Sequence, residues 1–236
     1  MRAGVAQIAL CENIERNISK SAGYIRQAAD SNIDILCFPE CSLTGYMRNF
    51  DGVSKSDIEK SLDAIHRQGI SHNIDFIIGT PYFENSTLFN AAVLMRANGS
   101  RATYFKNMLT EFDQHHFSTG KGDLTFAVKD TRCGILICRD QNSPGLARLY
   151  AEKGAEAIFY LAAHYYPPPE ARRKVDKNRA LPIARAVENG VYVLKANAVG
   201  SQGNCLSLGG SIIVDPQGTV VREEGEKEEN VIYVDI

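Results

Sequence analysis

Three side chains that can take part in acid–base or nucleophilic chemistry follow short apolar segments of the sequence. A carboxylate can carry protons, a thiol can attack a carbonyl carbon, and an ammonium group can stabilise an oxyanion. Because ligands of open α/β proteins collect at the carboxyl ends of strands, side chains at such positions are expected to share one pocket. They are Glu40 after segment 33–38, Lys106 after segment 101–105 and Cys138 after segment 133–137.

Cys138 is the candidate nucleophile. It follows Gly-Ile-Leu-Ile and precedes a turn towards a helix that is predicted to begin near Pro144. Such a turn holds the backbone rigidly while it exposes the thiol, and the backbone N–H of Arg139 is then a candidate oxyanion donor. Glu40 would take the thiol proton, and the charge of Lys106 would favour the thiolate. Taken one at a time, the three residues also fit a buried cysteine, a loop carboxylate and a surface lysine.

The composition is that of an ordinary globular protein. The 236 residues are 44% hydrophobic and 23% charged, with a formal net charge of -2, so no basic surface for nucleic acid is expected. No segment has the ~18–20 apolar residues of a membrane span, and the first residues do not resemble a signal peptide. A cytoplasmic location with reduced cysteines is therefore predicted. Since the cysteine and histidine spacings match no common metal site, no metal or cofactor is expected.

Apolar segments that alternate with amphipathic ones predict an α/β protein in which helices cover buried strands. No linker or repeat interrupts the pattern, which indicates one domain over residues 1–236. The predicted helices are 14–31, 58–68, 144–153 and 171–189. The predicted strands are 5–10, 33–38, 74–80, 90–96, 101–105, 124–128, 133–137, 157–162, 191–196, 211–214, 219–222 and 231–236.

The three candidate residues lie in sequence blocks that carry a resemblance. The blocks read FPECSLTGY (38–46), YFKNML (104–109) and GILICRD (134–140), and further matching segments follow in order over the rest of the chain. In these blocks the chain resembles the nitrilase superfamily of carbon–nitrogen hydrolases. The resemblance implies a four-layer-type α-β-β-α sandwich, with two mixed sheets inside and helices outside. It also implies a Glu–Lys–Cys triad of Glu40, Lys106 and Cys138, a thioester acyl-enzyme, no cofactor or metal, and a homodimer.

The chain departs from the family pattern at two places. The family carries a second glutamate after the lysine, and here the corresponding position is Asp113, with Glu111 as a possible substitute. After the nucleophile, Ser143-Pro144-Gly145 replaces a segment that often contains a carboxylate. Tyr46 and the aromatic segment 164–167 are candidates for the pocket wall, or for simple packing at a loop.

The residues after Cys138 bear on the substrate. Arg139-Asp140 resembles the amidase and carbamoyl-amide branches of the family more than the true nitrilases. The side chain of Arg139 could bind a substrate carboxylate or form an internal ion pair. The resulting prediction is a thiol-dependent hydrolase of a small aliphatic amide. One alternative is hydrolysis of N-carbamoyl amines or amino acids, with a ureido substrate. An alternative from another class is a catalytically weak binding or scaffolding relative.

Overall fold

The computed structural model describes residues 1–46 and 49–236, and its helices lie close to the predicted positions. The side chain of Asn13 caps the first helix by accepting a hydrogen bond from the Arg16 amide at 2.8 Å. The left-handed backbone of Gly190 (φ 63°) ends the last helix. The helices are α1 (Ile14–Asp30), α2 (Lys55–Ser71), α3 (Glu111–Gln114), α4 (Pro144–Glu152), α5 (Pro168–Arg173) and α6 (Val175–Asn189), with a 3₁₀ turn at Cys138–Asn142.

The strands form two mixed sheets. The first sheet has the order β13-β1-β2-β3-β4-β5, and the second has the order β6-β7-β8-β9-β11-β12. A short parallel pairing of residues 8–9 with 198–199 joins them, and β10 extends β9. The strands are β1 (Arg2–Ala9), β2 (Ile35–Cys37), β3 (Asp75–Glu84), β4 (Thr87–Met95), β5 (Arg101–Phe105), β6 (Thr125–Val128), β7 (Thr131–Ile137), β8 (Ala157–Ala162), β9 (Tyr192–Gln202), β10 (Cys205–Leu208), β11 (Ile212–Val214), β12 (Val220–Glu223) and β13 (Asn230–Asp235).

The two sheets pack face to face around the main hydrophobic core. That core contains buried side chains of both sheets, such as Val5 and Ile77 of the first and Ile135 and Leu161 of the second. A second cluster lies between the outer face of the first sheet and the helices α1 and α2, which contribute side chains such as Ile25 and Leu62. The helices α4 and α6 lie against the second sheet. The predicted α-β-β-α sandwich with two mixed sheets is therefore confirmed.

The sequence prediction of one long helix at 171–189 is wrong. The structure has α5 and α6 in its place, separated by Lys174, which caps the end of α5 and the start of α6 (φ -94°, ψ -1°). The helix begins early because proline fits the first turn of a helix, and Pro168 occupies that position. The ammonium group of Lys174 lies 4.2 Å from the centre of the Tyr166 ring, so a tertiary contact accompanies the break. In residues 1–46 and 49–236, no helix is both long and apolar enough to cross a membrane.

Candidate active site

Cys138 lies on a strained turn at the end of β7. Its φ is +45°, a left-handed conformation that costs free energy for a residue with a side chain. The strand is held firmly up to Ile137, which pairs with Leu161 of β8. Cys138 is 8% exposed and lines the larger of two adjoining cavities. The turn thus presents a nearly buried thiol at the floor of a pocket, as expected of a nucleophile elbow.

Asp140 ties this turn to the loop that follows Lys106. Its buried carboxylate accepts hydrogen bonds from the backbone amides of Ile137 (2.9 Å), Asn107 (3.2 Å) and Met108 (2.7 Å), and from the Tyr104 hydroxyl (2.8 Å). The four donors satisfy a carboxylate that would otherwise be costly to bury. From the sequence, Asp140 indicated only a family branch, because its partners come from a distant segment.

Glu40 is completely buried in a turn that contacts both sheets. Its backbone amide donates a 3.4 Å hydrogen bond to the carbonyl of Ala162 at the end of β8. On the other side the turn packs against Gly79 of β3, where a Cβ would lie 2.5 Å from the amide nitrogen of Cys41. Only glycine tolerates so close an approach of two backbone segments. Gly79 therefore sets the position of the Glu40 carboxylate.

Lys106 lies between two carboxylates, and all three side chains have no exposed surface. Its Nζ is 2.5 Å from Oε1 of Glu40 and 2.7 Å from Oδ2 of Asp113. The side-chain amide of Asn90 donates to Oε1 of Glu40 at 2.8 Å, a contact that sequence reasoning missed. Oε2 of Glu40 is buried and has no hydrogen-bond partner in the described part of the chain, so it is available to accept a proton.

The fourth member of the site is Asp113. The hydroxyl of Thr110 accepts from the Asp113 amide, while the Asp113 carboxylate accepts from the Thr110 amide at 2.8 Å, which makes a capping box on α3. The hydroxyl of Tyr46 donates to Oδ1 of Asp113 at 3.1 Å. Glu111, the alternative, is exposed at the pocket rim. The structure thus brings Asp113, not Glu111, to Lys106.

Charge and burial set the protonation of these groups. Burial lowers the pKa of Lys106, but the neighbouring carboxylates outweigh it and hold that pKa well above its ordinary value. Burial raises the pKa of Glu40 despite the lysine, while Lys106 and the Thr110 bonds outweigh burial and lower the pKa of Asp113. Burial and the charge of Glu40 raise the pKa of Cys138. The charge of Lys106 and a hydrogen bond from the Ala163 amide act in the opposite direction but do not cancel this increase. The resting site therefore holds a thiol beside a carboxylate that can receive its proton.

The pocket above Cys138 has a volume of about 470 Å³, the size of a small-molecule site. Both remaining sequence-predicted site residues, Tyr46 and Arg139, line it, as do His164 and Tyr166 of the aromatic segment. Three cations and two carboxylates also reach its wall. In residues 1–46 and 49–236, no group of three His, Cys, Asp or Glu side chains is arranged to hold a metal ion. The charged wall residues are Arg139, Lys174, Lys177, Glu111 and Glu170.

Replacing Asp113 with alanine is expected to lower kcat about 10–100-fold, a loss typical of removing a group that orients a reacting residue. The physical reason is that Lys106 loses one of its two carboxylate partners and is then drawn towards Glu40 alone. Steady-state kinetics on one amide measures this effect. Glu111→Ala on the same turn is the matched control and should stay within about threefold of the parent. A larger loss in Glu111→Ala than in Asp113→Ala would reverse the assignment of the two acids.

Comparison with known proteins finds relatives over nearly the whole chain. The sequence profile described as carbon-nitrogen hydrolase matches residues 2–236. The chain is 28% identical over 225 residues to the 2-oxoglutaramate amidase of Bacillus subtilis, which covers 93% of this chain and 84% of that protein. It is 27% identical over 227 residues to an (R)-stereoselective amidase of a Pseudomonas species, with 93% and 79% covered.

Solved structures show the same fold. The crystal structure of an amidase from a Nesterenkonia species superposes with a TM-score of 0.92 at 23% identity and covers 100% of this chain and 90% of that one. A cysteine-to-alanine mutant of the same amidase, in complex with butyramide, superposes with a TM-score of 0.91 at 22% identity and the same coverage.

Proposed function

The chain belongs to the carbon–nitrogen hydrolase family, and from this premise we propose that it hydrolyses a small aliphatic amide through a thioester at Cys138. One observation carries the proposal: the buried cluster of Glu40, Lys106 and Asp113 lies beside a thiol on a strained elbow, at the floor of a pocket. A buried carboxylate with an unused oxygen, a fixed cation and an accessible thiol are what acyl transfer through sulfur requires.

In the proposed reaction, Oε2 of Glu40 accepts the thiol proton as Sγ attacks the carbonyl carbon of the amide. The backbone amide of Arg139 and the ammonium group of Lys106 stabilise the negative oxygen of the tetrahedral intermediate. The carbon–nitrogen bond then breaks, and ammonia leaves with the proton that Glu40 held. Glu40 next deprotonates a water molecule that attacks the thioester, and the returning proton restores the thiol as the acid is released.

Two relatives and one solved structure support an amide as the substrate. The Bacillus and Pseudomonas relatives are named amidases. The Nesterenkonia amidase has been solved with butyramide, and with the acetamide moiety of fluoroacetamide added covalently to its active-site cysteine. The fold of that amidase matches this chain over its whole length, which favours a similar position for the amide carbon.

The test is a panel of aliphatic amides, nitriles and N-carbamoyl amines of matched chain length. Ammonia release measures turnover, carbon dioxide release identifies carbamoyl cleavage, and intact-protein mass spectrometry detects the acyl adduct. We expect ammonia and an adduct from the amides. Preferred cleavage of the carbamoyl compounds would replace this proposal with the carbamoyl alternative. Absence of turnover and adduct across the panel would favour a binding or scaffolding role.

The homodimer and the cytoplasmic location predicted from the sequence remain proposals, as does the organisation of residues 1–236 as a single domain. The match of one family profile to residues 2–236 supports the single domain. Sedimentation of the purified protein measures the assembly state directly.

A further inference from the structure

Asn90 is a fully buried amide beside the cluster of Glu40, Lys106 and Asp113, and the proposed reaction gives it no role. It lies on β4, directly before the apolar residues 91–95. Its backbone carbonyl accepts a 2.9 Å hydrogen bond from the amide of Lys106, which follows β5. The pairing of β4 with β5 therefore holds the backbones of Asn90 and Lys106 side by side, and both side chains reach Glu40.

The partners of the Asn90 side chain determine how its amide is oriented. Its Nδ2 lies 2.8 Å from Oε1 of Glu40 and 3.5 Å from Oδ1 of Asp113. Because ionised carboxylates only accept hydrogen bonds, the atom that faces them must be the NH₂ group. On the other side, the thiol of Cys41 donates to Oδ1 of Asn90 at 3.8 Å. All these contacts agree on one orientation, in which Asn90 donates towards both carboxylates.

The two carboxylate oxygens of Glu40 have different surroundings. Oε1 accepts hydrogen bonds from Lys106 and Asn90, whereas Oε2 is buried without a partner in residues 1–46 and 49–236. The ammonium group of Lys106 has rotatable donors on a flexible stem, and it is shared with Asp113. The planar amide of Asn90 is a more directional donor, so the second hydrogen bond opposes rotation of the Glu40 carboxylate. Oε2 is thereby left as the oxygen that can receive the thiol proton.

We propose that Asn90 is a positioning residue for the general base: it holds Oε1 of Glu40 and so makes Oε2 the oxygen that accepts the proton of Cys138. This inference rests on the proposed amide hydrolysis. Asn90 lies outside the described lining of the Cys138 pocket, so it acts on the reaction through Glu40 and not by touching the substrate. Without the amide, the carboxylate can turn about its last bond, and the geometry for proton transfer is present only part of the time.

The same hydrogen bond helps to keep Glu40 ionised. Burial raises the pKa of Glu40, and the charge of Lys106 and the hydrogen bonds from Lys106 and Asn90 act in the opposite direction. Loss of the Asn90 donor should therefore raise this pKa further, because a hydrogen bond to a carboxylate favours its ionised form.

The acid limb of a pH profile should report Glu40 and not its neighbours. Burial raises the pKa values of the surrounding thiols and phenols. The carboxylates outweigh burial and raise the pKa of the lysine, and the lysine outweighs burial and lowers the pKa of the second acid. The charged and titratable groups around Glu40 are Cys41, Tyr46, Lys106, Asp113, Cys138 and Tyr166.

The test is Asn90→Leu, which keeps a side chain of similar size and removes both N–H donors. The plateau value of kcat/KM for butyramide should fall about 10–100-fold, as when a group that orients a reacting residue is lost. The acid limb of the pH profile should move to higher pH by about one unit, the shift expected for one hydrogen bond to an ionised group. An acid limb that stays in place in Asn90→Leu would overturn the inference.

Thr80→Val on the neighbouring strand β3 is the matched control. It removes a fully buried hydroxyl whose partner is the carbonyl of Pro81 at 3.0 Å. Its kcat/KM should stay within about threefold of the parent, with the acid limb unchanged. Urea unfolding of each variant separates activity from stability, and Asn90→Ala takes the place of a leucine variant that does not fold. An equal shift of the acid limb in Thr80→Val would contradict a specific role for Asn90.

Alkylation of Cys138 by iodoacetamide measures the base in the absence of an amide substrate. The thiol gives up its proton to Glu40 as it reacts, so the rate of alkylation should have the same acid limb as turnover. Asn90→Leu should slow this reaction and move its acid limb to higher pH. In the Glu40→Gln protein, the same replacement of Asn90 should have no further effect, because it acts through Glu40. Equal slowing in both backgrounds would contradict the inference.

Turnover and alkylation together separate this inference from the proposed function. If the unaltered protein hydrolyses amides and neither acid limb responds to Asn90→Leu, the positioning role fails and the amidase proposal stands. If no amide is hydrolysed, but the acid limb of Cys138 alkylation moves in Asn90→Leu and not in Thr80→Val, Asn90 positions the base and the proposed reaction fails.

Discussion

Replacement of Cys138 with alanine is expected to lower kcat for amide hydrolysis about 10⁴–10⁶-fold, the range found when a covalent nucleophile is removed. The physical reason is that Glu40 and Lys106 remain in place but have no sulfur to carry the acyl group. Substrate binding should change little, because the pocket wall is formed by other side chains. Steady-state kinetics measures the loss, and mass spectrometry should find the acyl adduct on the parent protein and none on the variant.

Cys133→Ala is the matched control for this prediction. Cys133 is buried on the same strand and faces the core between the sheets, outside the pocket of Cys138. Its replacement removes a buried thiol at a similar cost in packing and should leave kcat near that of the parent. Equal losses in the two variants would point to general destabilisation, and an adduct that persists in Cys138→Ala would assign the nucleophile to another residue.

Replacement of Lys106 with methionine is expected to have the second largest effect, on both activity and folding. The variant keeps Glu40 and Asp113 fully buried and close together without their cation. Breaking a buried ion pair by removing one partner costs about 3–5 kcal/mol in the free energy of unfolding. Turnover should also fall steeply, because the oxyanion loses its positive neighbour. Urea unfolding measures the stability, and kcat at low urea measures the activity.

The pH dependence identifies the cause of that instability. Without Lys106, mutual repulsion and burial raise the pKa values of both carboxylates in the folded variant above those of the unfolded chain. The folded state then binds more protons than the unfolded state, so the free energy of unfolding falls as pH rises through this range. The difference in the free energy of unfolding between the parent and Lys106→Met should therefore be smaller at pH 5 than at pH 8. Lys153→Met, which breaks a half-exposed pair with Asp123, is the control and should lose at most about 1 kcal/mol. A deficit that does not vary with pH would contradict this account.

The sequence by itself predicted helices that cover buried strands, and its resemblance to the nitrilase superfamily implied the two-sheet sandwich and the three main site residues. Alternation of apolar and amphipathic segments predicted the helices and strands because elements buried on one face repeat at periods of two and 3.6 residues. Glu40, Lys106 and Cys138 stand directly after predicted strands, and the structure places all three at one end of the sandwich. A residue that follows a predicted strand can be placed at the end of that strand from the local sequence, because the strand determines where the next residue lies.

The tertiary structure alone decided which residues support them. The sequence assigned the second acid to Asp113 with Glu111 as a possible substitute, and the capping box of α3 turns Asp113 towards Lys106. Asn90 reaches Glu40 across 50 positions of the chain, and Asp140 binds amides more than 30 positions away. Such contacts depend on the relative positions of distant strands, which the local periodicity of the sequence does not determine.

Lys195 shows the same limit most clearly. In the sequence it interrupts an apolar strand, and nothing nearby explains a charge there. In the structure its amine donates to the carbonyl of Asn178, which Pro182 leaves without its helical donor. A proline within a helix and a lysine within a strand are brought into one contact only when the chain is folded. A buried charge is tolerated only where a hydrogen-bonding or charged partner lies close to it. Tertiary packing determines which partner that is.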